Sequence, residues 1–293
     1  MSAPPSRPLA GIALMLGFAT MASLLDAITK GLTASYTVPM LLWLRFLGQT
    51  GSLLLLLPWI GWSGLAATSA PRVQLGRGVA LTVSAGAFVF ALSYLPFATA
   101  KVLSFTSPLL VTLLSLPLLG ERVGWRRALA VAVGFLGVVA VIRPGFGTDG
   151  ATALDWAIAL PLLSAAAYAC YQLLTRRVAQ RDGPVASLFY VSVVGLVASS
   201  LLVPFHFVAV PPWLVAFLLV HGALVGVGHF LQIRALALAP ASLLAPFGYA
   251  SLLWAVLIGA TVFGEAIGVF TILGALTIAG SGLYLFRSAA SGK

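Results

Sequence analysis

Charge is scarce in this sequence. Only 8% of its 293 residues are Asp, Glu, Lys or Arg, while 61% are hydrophobic; a soluble domain carries about 25% charged residues. Too little polar side chain is left to coat a surface facing water, so lipid must be the solvent. Acidic residues are rarer still, 6 in all, and Asp26 is the only one inside an apolar run. No HExxH motif, carboxylate cluster or Ser–His arrangement suggests an enzyme, and no GxxxxGK[ST] loop suggests ATP-driven pumping. The single cysteine, Cys170, excludes disulfides within the chain and any multi-cysteine metal site; in an apolar run it reads as a small core residue. Neither a metal nor a cofactor is expected.

Apolar runs are abundant. Each is about 20 residues long, without strict alternation, which fits spanning helices and not barrel strands. Ten spans are expected, at 9–29, 38–58, 77–95, 99–119, 126–142, 156–174, 185–204, 213–231, 242–263 and 268–285. The class is therefore an all-α membrane protein. A net charge of +10 raises the question of nucleic acid, but the basic residues are scattered over short loops, as topology signals are. With the N-terminus inside, twelve of them fall on inner segments, and only Lys30, Lys101 and Arg143 on outer ends. Both termini are expected in the cytoplasm of a bacterial inner membrane. Arg7 followed by Leu9–Leu25 imitates a signal peptide, yet that stretch matches the sixth span and is read as retained.

The chain also repeats itself. Ala91-Leu92, Pro96, Gly120-Glu121 and Gly124 recur as Ala235-Leu236, Pro240, Gly264-Glu265 and Gly268, a step of 144 residues. Ile12-Ala13-Leu14, Leu16, Ala19 and Thr29 recur as Ile158-Ala159-Leu160, Leu162, Ala165 and Thr175. Each copy holds five spans, an odd number, so the second inserts upside down relative to the first. Arg122, Arg126 and Arg127 follow Glu121, whereas the matching positions Ala266, Phe270 and Thr271 carry no charge. The expected organisation is an inner tail (1–8), a first five-helix unit (9–142), a linker (143–155), an inverted second unit (156–286) and a second inner tail (287–293). Inverted pairs of this kind can exchange conformations across a pseudo-two-fold axis in the membrane plane.

Two segments carry a resemblance. Tyr94-Leu95-Pro96-Phe97-Ala98-Thr99-Ala100-Lys101, running through Pro108 to Leu119-Gly120-Glu121-Arg122, resembles the EamA-type domain of the drug/metabolite transporter superfamily. The echo from Arg234 through Pro240 to Phe263-Gly264-Glu265 resembles it too, and a closing helix with Gly134 and Gly137, or Gly274 and Gly280, follows each. The resemblance implies ten helices in two inverted halves, with a cavity lined by spans 1–4 and 6–9 and spans 5 and 10 outside it. It further implies export of amino acids or related small metabolites by alternating access. Some small multidrug members use a mid-membrane Glu in the first helix; this chain has none there, and Asp26 lies nearer the outer end. Riboflavin-like rings, nucleobases, adenosyl metabolites and cationic drugs are alternative solutes. A channel or a membrane-embedded enzyme is the rival class.

Charges inside a bilayer need a reason, because each costs about 2.5–3.5 kcal/mol at the helix centre. Asp26, Arg45 and Lys101 all fall in the outer third, close to Lys30. They form either a polar mouth whose spare cation attracts a solute carboxylate, or a structural pair with snorkelling ends. Lys101 begins a stripe through Ser104, Pro108, Thr112 and Ser115 at helical spacing. The sixth span has another, of Ser164, Tyr168, Tyr171, Gln172 and Thr175, in which Gln172 aligns with Asp26; cavity lining and interhelical bonding remain open for both. His221 and His229 lie about 80° and 12 Å apart on one helix, too far for one metal; a proton relay or interior packing would explain them. Phe88, Tyr94, Tyr249 and Trp254 supply rings beside these stripes. Trp43, Trp59, Trp62, Trp125, Trp156 and Trp213 read as interfacial anchors. Pro108 and Pro246 are candidate hinges, and the two Gly-Glu pairs read as helix ends in the headgroup region.

The expected partners are a small-molecule solute and the lipid bilayer, with no nucleic acid; the chain should act as a monomer, with a dimer as the alternative. Lys101→Ala and Tyr168→Phe are expected to change the transport rate while leaving expression intact. Wild-type uptake by both variants in liposomes would remove these residues from the cavity.

Overall fold

Proline sets where the helices begin. A computed structural model describes residues 8–119, 125–142, 155–178, 182–239, 244 and 247–290. Among these the secondary structure is helical, without strands. The first unit contains α1 (Pro8–Leu32), α2 (Val38–Leu54), α3 (Leu57–Ala66), α4 (Pro71–Tyr94), α5 (Phe97–Ser104), α6 (Ser107–Leu119) and α7 (Trp125–Ile142). After a 3-10 turn at Asp155–Ile158 come α8 (Ala159–Val178), α9 (Pro184–Leu202), α10 (Pro212–Leu238), α11 (Ala250–Thr261) and α12 (Val269–Ala290). Helices α2, α3, α4, α9 and α10 carry proline at the first or second position. There the missing N–H has no helical partner to lose and the fixed φ suits the helix.

Six helices are long and apolar enough to cross a membrane, with α5 and α6 taken together over Phe97–Leu114, or seven if α2 and α3 also make one span. Ala128–Ile142, Ala250–Thr261 and Val269–Leu285 are shorter apolar helices. Two expected spans are broken. The second, expected straight over 38–58, ends at Leu54, and α3 leaves it at 110°; Pro58 cannot continue the α2 ladder, and Gly61 (φ +64°) bends α3 again. The fourth, expected over 99–119, divides into α5 and α6 at Phe105–Thr106. The break falls one turn before Pro108, whose ring would clash with the Ser104 carbonyl of a continuous helix. Pro246 lies outside the described residues, as does Glu121.

The packing follows one pattern twice. Helix α1 lies on α10, and α4 lies on α8; α2 lies on α10, and α4 on α9. Helices α2 and α9, α5 and α11, and α7 and α12 pair with each other. Small residues let these axes close. A Cβ built on Gly222 would stand 2.1 Å from the Arg45 carbonyl oxygen, and one on Gly48 the same distance from the Leu219 oxygen, so α2 and α10 touch backbone to backbone. Without a hydrophobic drive between helices in lipid, such close contact is the main source of association. Outward faces are apolar: Leu129, Val133 and Leu136 of α7 and Ile272, Leu273 and Leu276 of α12 are exposed. Trp59, Trp62, Trp125, Trp156 and Trp213 are exposed as well, while the Trp43 indole N–H donates to Ser200 Oγ at 2.9 Å.

Gly222→Ala should lower the unfolding free energy in detergent by more than about 3 kcal/mol, since neither backbone can retreat. Gly280→Ala, where an added Cβ meets nothing within 4 Å, should be neutral. Equal midpoints for the two variants would contradict the contact.

Candidate functional site

Polar side chains collect at three levels along the bundle. At the end where α1 finishes, Lys101 of α5 pairs with Asp26 of α1, and its ammonium lies 5.4 Å from the centre of the Phe88 ring on α4. Lys101 is 7% exposed, so the aromatic face and the carboxylate replace water around it. Lys30, one turn beyond Asp26, donates to the carbonyls of Leu95 (2.8 Å) and Leu92 (3.3 Å) at the end of α4. Its Nζ is 3.7 Å from Glu265 Oε1 and 5.4 Å from the Phe263 ring centre.

Glu265 does more than terminate a helix. Its carboxylate accepts the backbone N–H groups of Phe97 and Ala98, the latter at 3.2 Å. It therefore caps α5, an element of the other repeat, and meets the positive end of that helix dipole. Gly264 makes this possible: its φ of +63° turns the chain back, so that the Glu265 amide donates to the Gly259 carbonyl at 2.8 Å. Beyond ending its own helix, the carboxylate, 11% exposed, joins two helices distant in sequence.

The opposite end is closed by Asp182, in the turn between α8 and α9. Its Oδ1 accepts the Ser69 N–H and the Ser69 hydroxyl, each at 2.9 Å. Its Oδ2 accepts the Thr68 hydroxyl at 2.5 Å and Gln74 Nε2 at 2.6 Å. Gln74 in turn accepts a hydrogen bond from Arg77, whose Nε donates to Thr175 Oγ1 at 2.9 Å and whose guanidinium lies 5.2 Å from the Tyr171 ring centre. Arg77 is 2% exposed and Gln74 fully buried. Burial pushes the Asp182 carboxyl upward, but the Ser69 amide and the Thr68, Gln74 and Ser69 side chains outweigh it and hold the pKa at about 2. Eighteen residues of α4 separate Gln74 from Leu92, about 27 Å of helix. The two ties thus stand on opposite ends of the bundle.

The residues with fewest partners lie on α2 and α10, Arg45 and His221 beside Thr29 near the α1 end and Gln49 and His229 further along. Arg45 of α2 borders a small cavity with Thr29, Leu41, Leu42, Val89 and His221; it is within electrostatic reach of Asp26 without joining it in an ion pair. His221 Nε2 is 3.0 Å from the Leu25 carbonyl and 3.4 Å from Thr29 Oγ1. His229 sits beside Phe18, with ring centres 6.5 Å apart. Arg45 Nε, Gln49 Nε2, His221 Nδ1 and His229 Nδ1 are buried without a hydrogen-bond partner, a condition that costs about 1–3 kcal/mol for each group.

The remaining expected residues divide. Tyr168 lies near Tyr171, with ring centres 5.5 Å apart, and is hydrogen-bonded to the Gln232 side chain on α10; Gln172 is half-buried on the same helix. Ser104 turns inward on its own helix, donating to the Ala100 carbonyl. Tyr249 lies 5.4 Å from Phe105, and its hydroxyl presses on Gly282 of α12. Tyr94 is half exposed and meets Trp156 edge-on at 4.9 Å. Trp254 is exposed on the same helix as Leu253 and Leu257, away from the Asp26–Lys101 pair. Asp182, Gln74 and Gln49 were missed by sequence reasoning. Asp182 had a signal, an Asp directly before Gly183-Pro184 at a helix start; the two glutamines had none.

Asp182→Asn should lower the unfolding free energy by about 2 kcal/mol at pH 7, from the loss of charge-assisted bonds. The native pKa of about 2 lies below the unfolded value of about 3.9. The contribution of the charge is therefore complete above about pH 4 and disappears as pH falls through about 2. Unfolding of wild type and variant at pH 7 and pH 2.5 checks this; a gap that does not narrow in acid would contradict it.

Comparison with known proteins gives these ends a context. The EamA-like transporter family model matches residues 9–143 and again 155–287. The chain is 30% identical over 291 residues to a riboflavin transporter of Rhizobium johnstonii, covering 98% of this chain and 94% of that one. It is 26% identical over 239 residues to an S-adenosylmethionine uptake transporter of Rickettsia bellii, covering 81% and 80%. A protein of known crystal structure shares the fold, with a TM-score of 0.63, 20% identity and 98% of both chains covered. The apolar helices and these matches together make the chain a multi-pass membrane transporter belonging to the EamA-like transporter family.

Proposed function

We propose that the chain is a secondary carrier of the bacterial inner membrane that takes up a neutral, riboflavin-like heteroaromatic metabolite by alternating access. The solute would pass between two inverted five-helix halves, residues 9–142 and 156–286, with both termini in the cytoplasm. The kinship to a riboflavin transporter along nearly the whole length of both chains carries the reading. The packing, in which each helix contact recurs with the halves exchanged, supports the inverted arrangement. Relatives named for riboflavin and for S-adenosylmethionine uptake favour such solutes over the amino-acid export expected from the sequence.

Electrostatics favours the first of these two solutes. Asp26 is engaged by Lys101 and Glu265 by Lys30 and two amides. Among the described residues, Arg45 and Arg77 stand well inside helices of the bundle without an ion pair to a carboxylate, whereas Arg72, Arg126, Arg234 and Arg287 lie near helix ends. A sulfonium cation would meet net positive charge; a neutral ring rich in carbonyl and ring-nitrogen acceptors would meet donors. In the cycle we envisage, the Glu265–Lys30 tie opens the outer end and the Asp182 tie opens the inner end, never both together. The α5–α6 break at Phe105–Thr106 supplies a joint for the first movement. Both halves lie in one chain, so a monomer suffices.

Proteoliposomes preloaded with riboflavin should accumulate labelled riboflavin by counterflow, with at least about tenfold acceleration over empty vesicles. Leucine or S-adenosylmethionine inside should give none. Riboflavin flux without acceleration would indicate a channel, and acceleration by leucine alone would restore amino-acid transport.

A further inference from the structure

The unpaired nitrogen atoms of α2 and α10 have no task in the fold. Among the described residues, seven buried side-chain N or O atoms lack a hydrogen-bond partner, and five of these belong to α2 and α10: Arg45 Nε, Gln49 Nε2, Thr50 Oγ1, His221 Nδ1 and His229 Nδ1. Scatter through twelve helices would not produce that concentration. It also falls where the two repeats touch backbone to backbone, the place least able to admit stray polarity.

Arg45 and Gln49 follow the α2–α10 seam, while His221 and His229 of α10 turn toward α1, His221 to the Leu25 carbonyl and Thr29 and His229 to the Phe18 ring. Arg45 and Gln49 are one helical turn apart on α2. Arg45 lies over Gly222 of α10, and Gln49 over Gly226, where an added Cβ would stand 3.3 Å from Gln49 Cγ. The glycines offer no side chain with which either residue could bond. His221 precedes the first glycine, and His229 follows the second by three residues. His221 and His229 are about 12 Å apart along α10 and about 80° apart around it. Gln49 is 1% exposed, so bulk water does not serve it.

We infer that this seam is the edge that reads the solute. Arg45 Nε–H and the Gln49 amide N–H groups donate to ring carbonyls and ring nitrogens of a neutral planar heterocycle. The histidine Nδ1 atoms donate or accept according to tautomer, and Phe18, beside His229, offers a flat apolar surface. Arg45 and His229 were candidates from the sequence alone; Gln49 completes them. The inference rests on the riboflavin-like reading and deepens it by naming the ring, rather than any attached chain, as the recognised part. It also explains why an unpaired amide persists in a buried contact: its partner arrives with the solute.

Gln49→Leu and His229→Phe keep the volume and remove the nitrogen. Ligand-free thermal unfolding and titration by riboflavin fluorescence quenching, on purified full-length protein in detergent, test the idea. Both variants should bind riboflavin at least about tenfold more weakly, with ligand-free midpoints at or above that of wild type, because no internal bond is lost. Lumichrome, the ring system without the ribityl chain, should lose affinity by the same factor. Wild-type affinity in both variants overturns the inference. So does a ligand-free midpoint that falls along with affinity, since that marks the groups as structural. Wild-type protein that binds neither riboflavin nor lumichrome overturns the substrate reading, and this inference with it.

Discussion

A helix that begins inside lipid must have its first amides satisfied, and this requirement organises the molecule. Helix α5 starts at Phe97, directly after Pro96, within the bundle. Among the described residues the acceptor of the Phe97 and Ala98 amides comes from the other repeat, Glu265, 168 residues further along the chain. The carboxylate placed there needs a counter-charge, and Lys30 provides it. Lys30 also takes up the Leu92 and Leu95 carbonyls, the orphaned end of α4. One glutamate and one lysine thus settle two helix ends and the meeting of two repeats. If the free backbone groups were exposed to hydrocarbon instead, each would cost several kcal/mol.

The repeated architecture puts different chemistry at equivalent places. The 144-residue step carries Arg77 onto His221, and the offset of the chain's opening carries Thr175 onto Thr29. Both pairs are in contact: Arg77 donates to Thr175 at 2.9 Å, and His221 Nε2 lies 3.4 Å from Thr29 Oγ1. The contact is common to both copies while the charge differs. The Arg77 copy continues into Gln74 and Asp182 and locks a loop. In the other copy Leu218 stands where Gln74 would, and the chain of hydrogen bonds stops at the Leu25 carbonyl. Equivalent places in the two copies thus carry unequal polar networks.

Much of this was legible in the residues. Scarce charge and long apolar runs led to helices in lipid, and the matched Gly-Glu pairs led to the duplication. The pairing of Asp26 with a nearby cation followed from the cost of a lone charge at that depth, and Lys101 proved to be the partner. What stayed hidden depended on which element lies beside which. Leu53 through Leu57 read as uninterrupted span, and only Pro58 hinted that α3 would turn away. Glu265 looked like the end of its own helix because nothing in a linear sequence says that another helix starts 3 Å from it. Gln49 is a single amide in an apolar run and Gln74 falls just before the third expected span, and no spacing rule tells which of them is bonded. Arg77 and His221 are equivalent, but their residue types differ, so identity across the repeat passed over them.

The contrast between the two glutamines shows how the bundle divides its polar groups. Gln74 is fully buried and used on both sides, accepting from Arg77 and donating to Asp182 and Ser187. Gln49, equally buried, leaves its amide nitrogen unpaired between two helices in backbone contact. In hydrocarbon the first arrangement is stable by itself and the second is not, because an unfulfilled donor has no water to fall back on. A sequence with so few polar residues has little reason to place one where it serves nothing. The saturated network joins α4 to the turn before α9, and the unsaturated groups lie on α2 and α10.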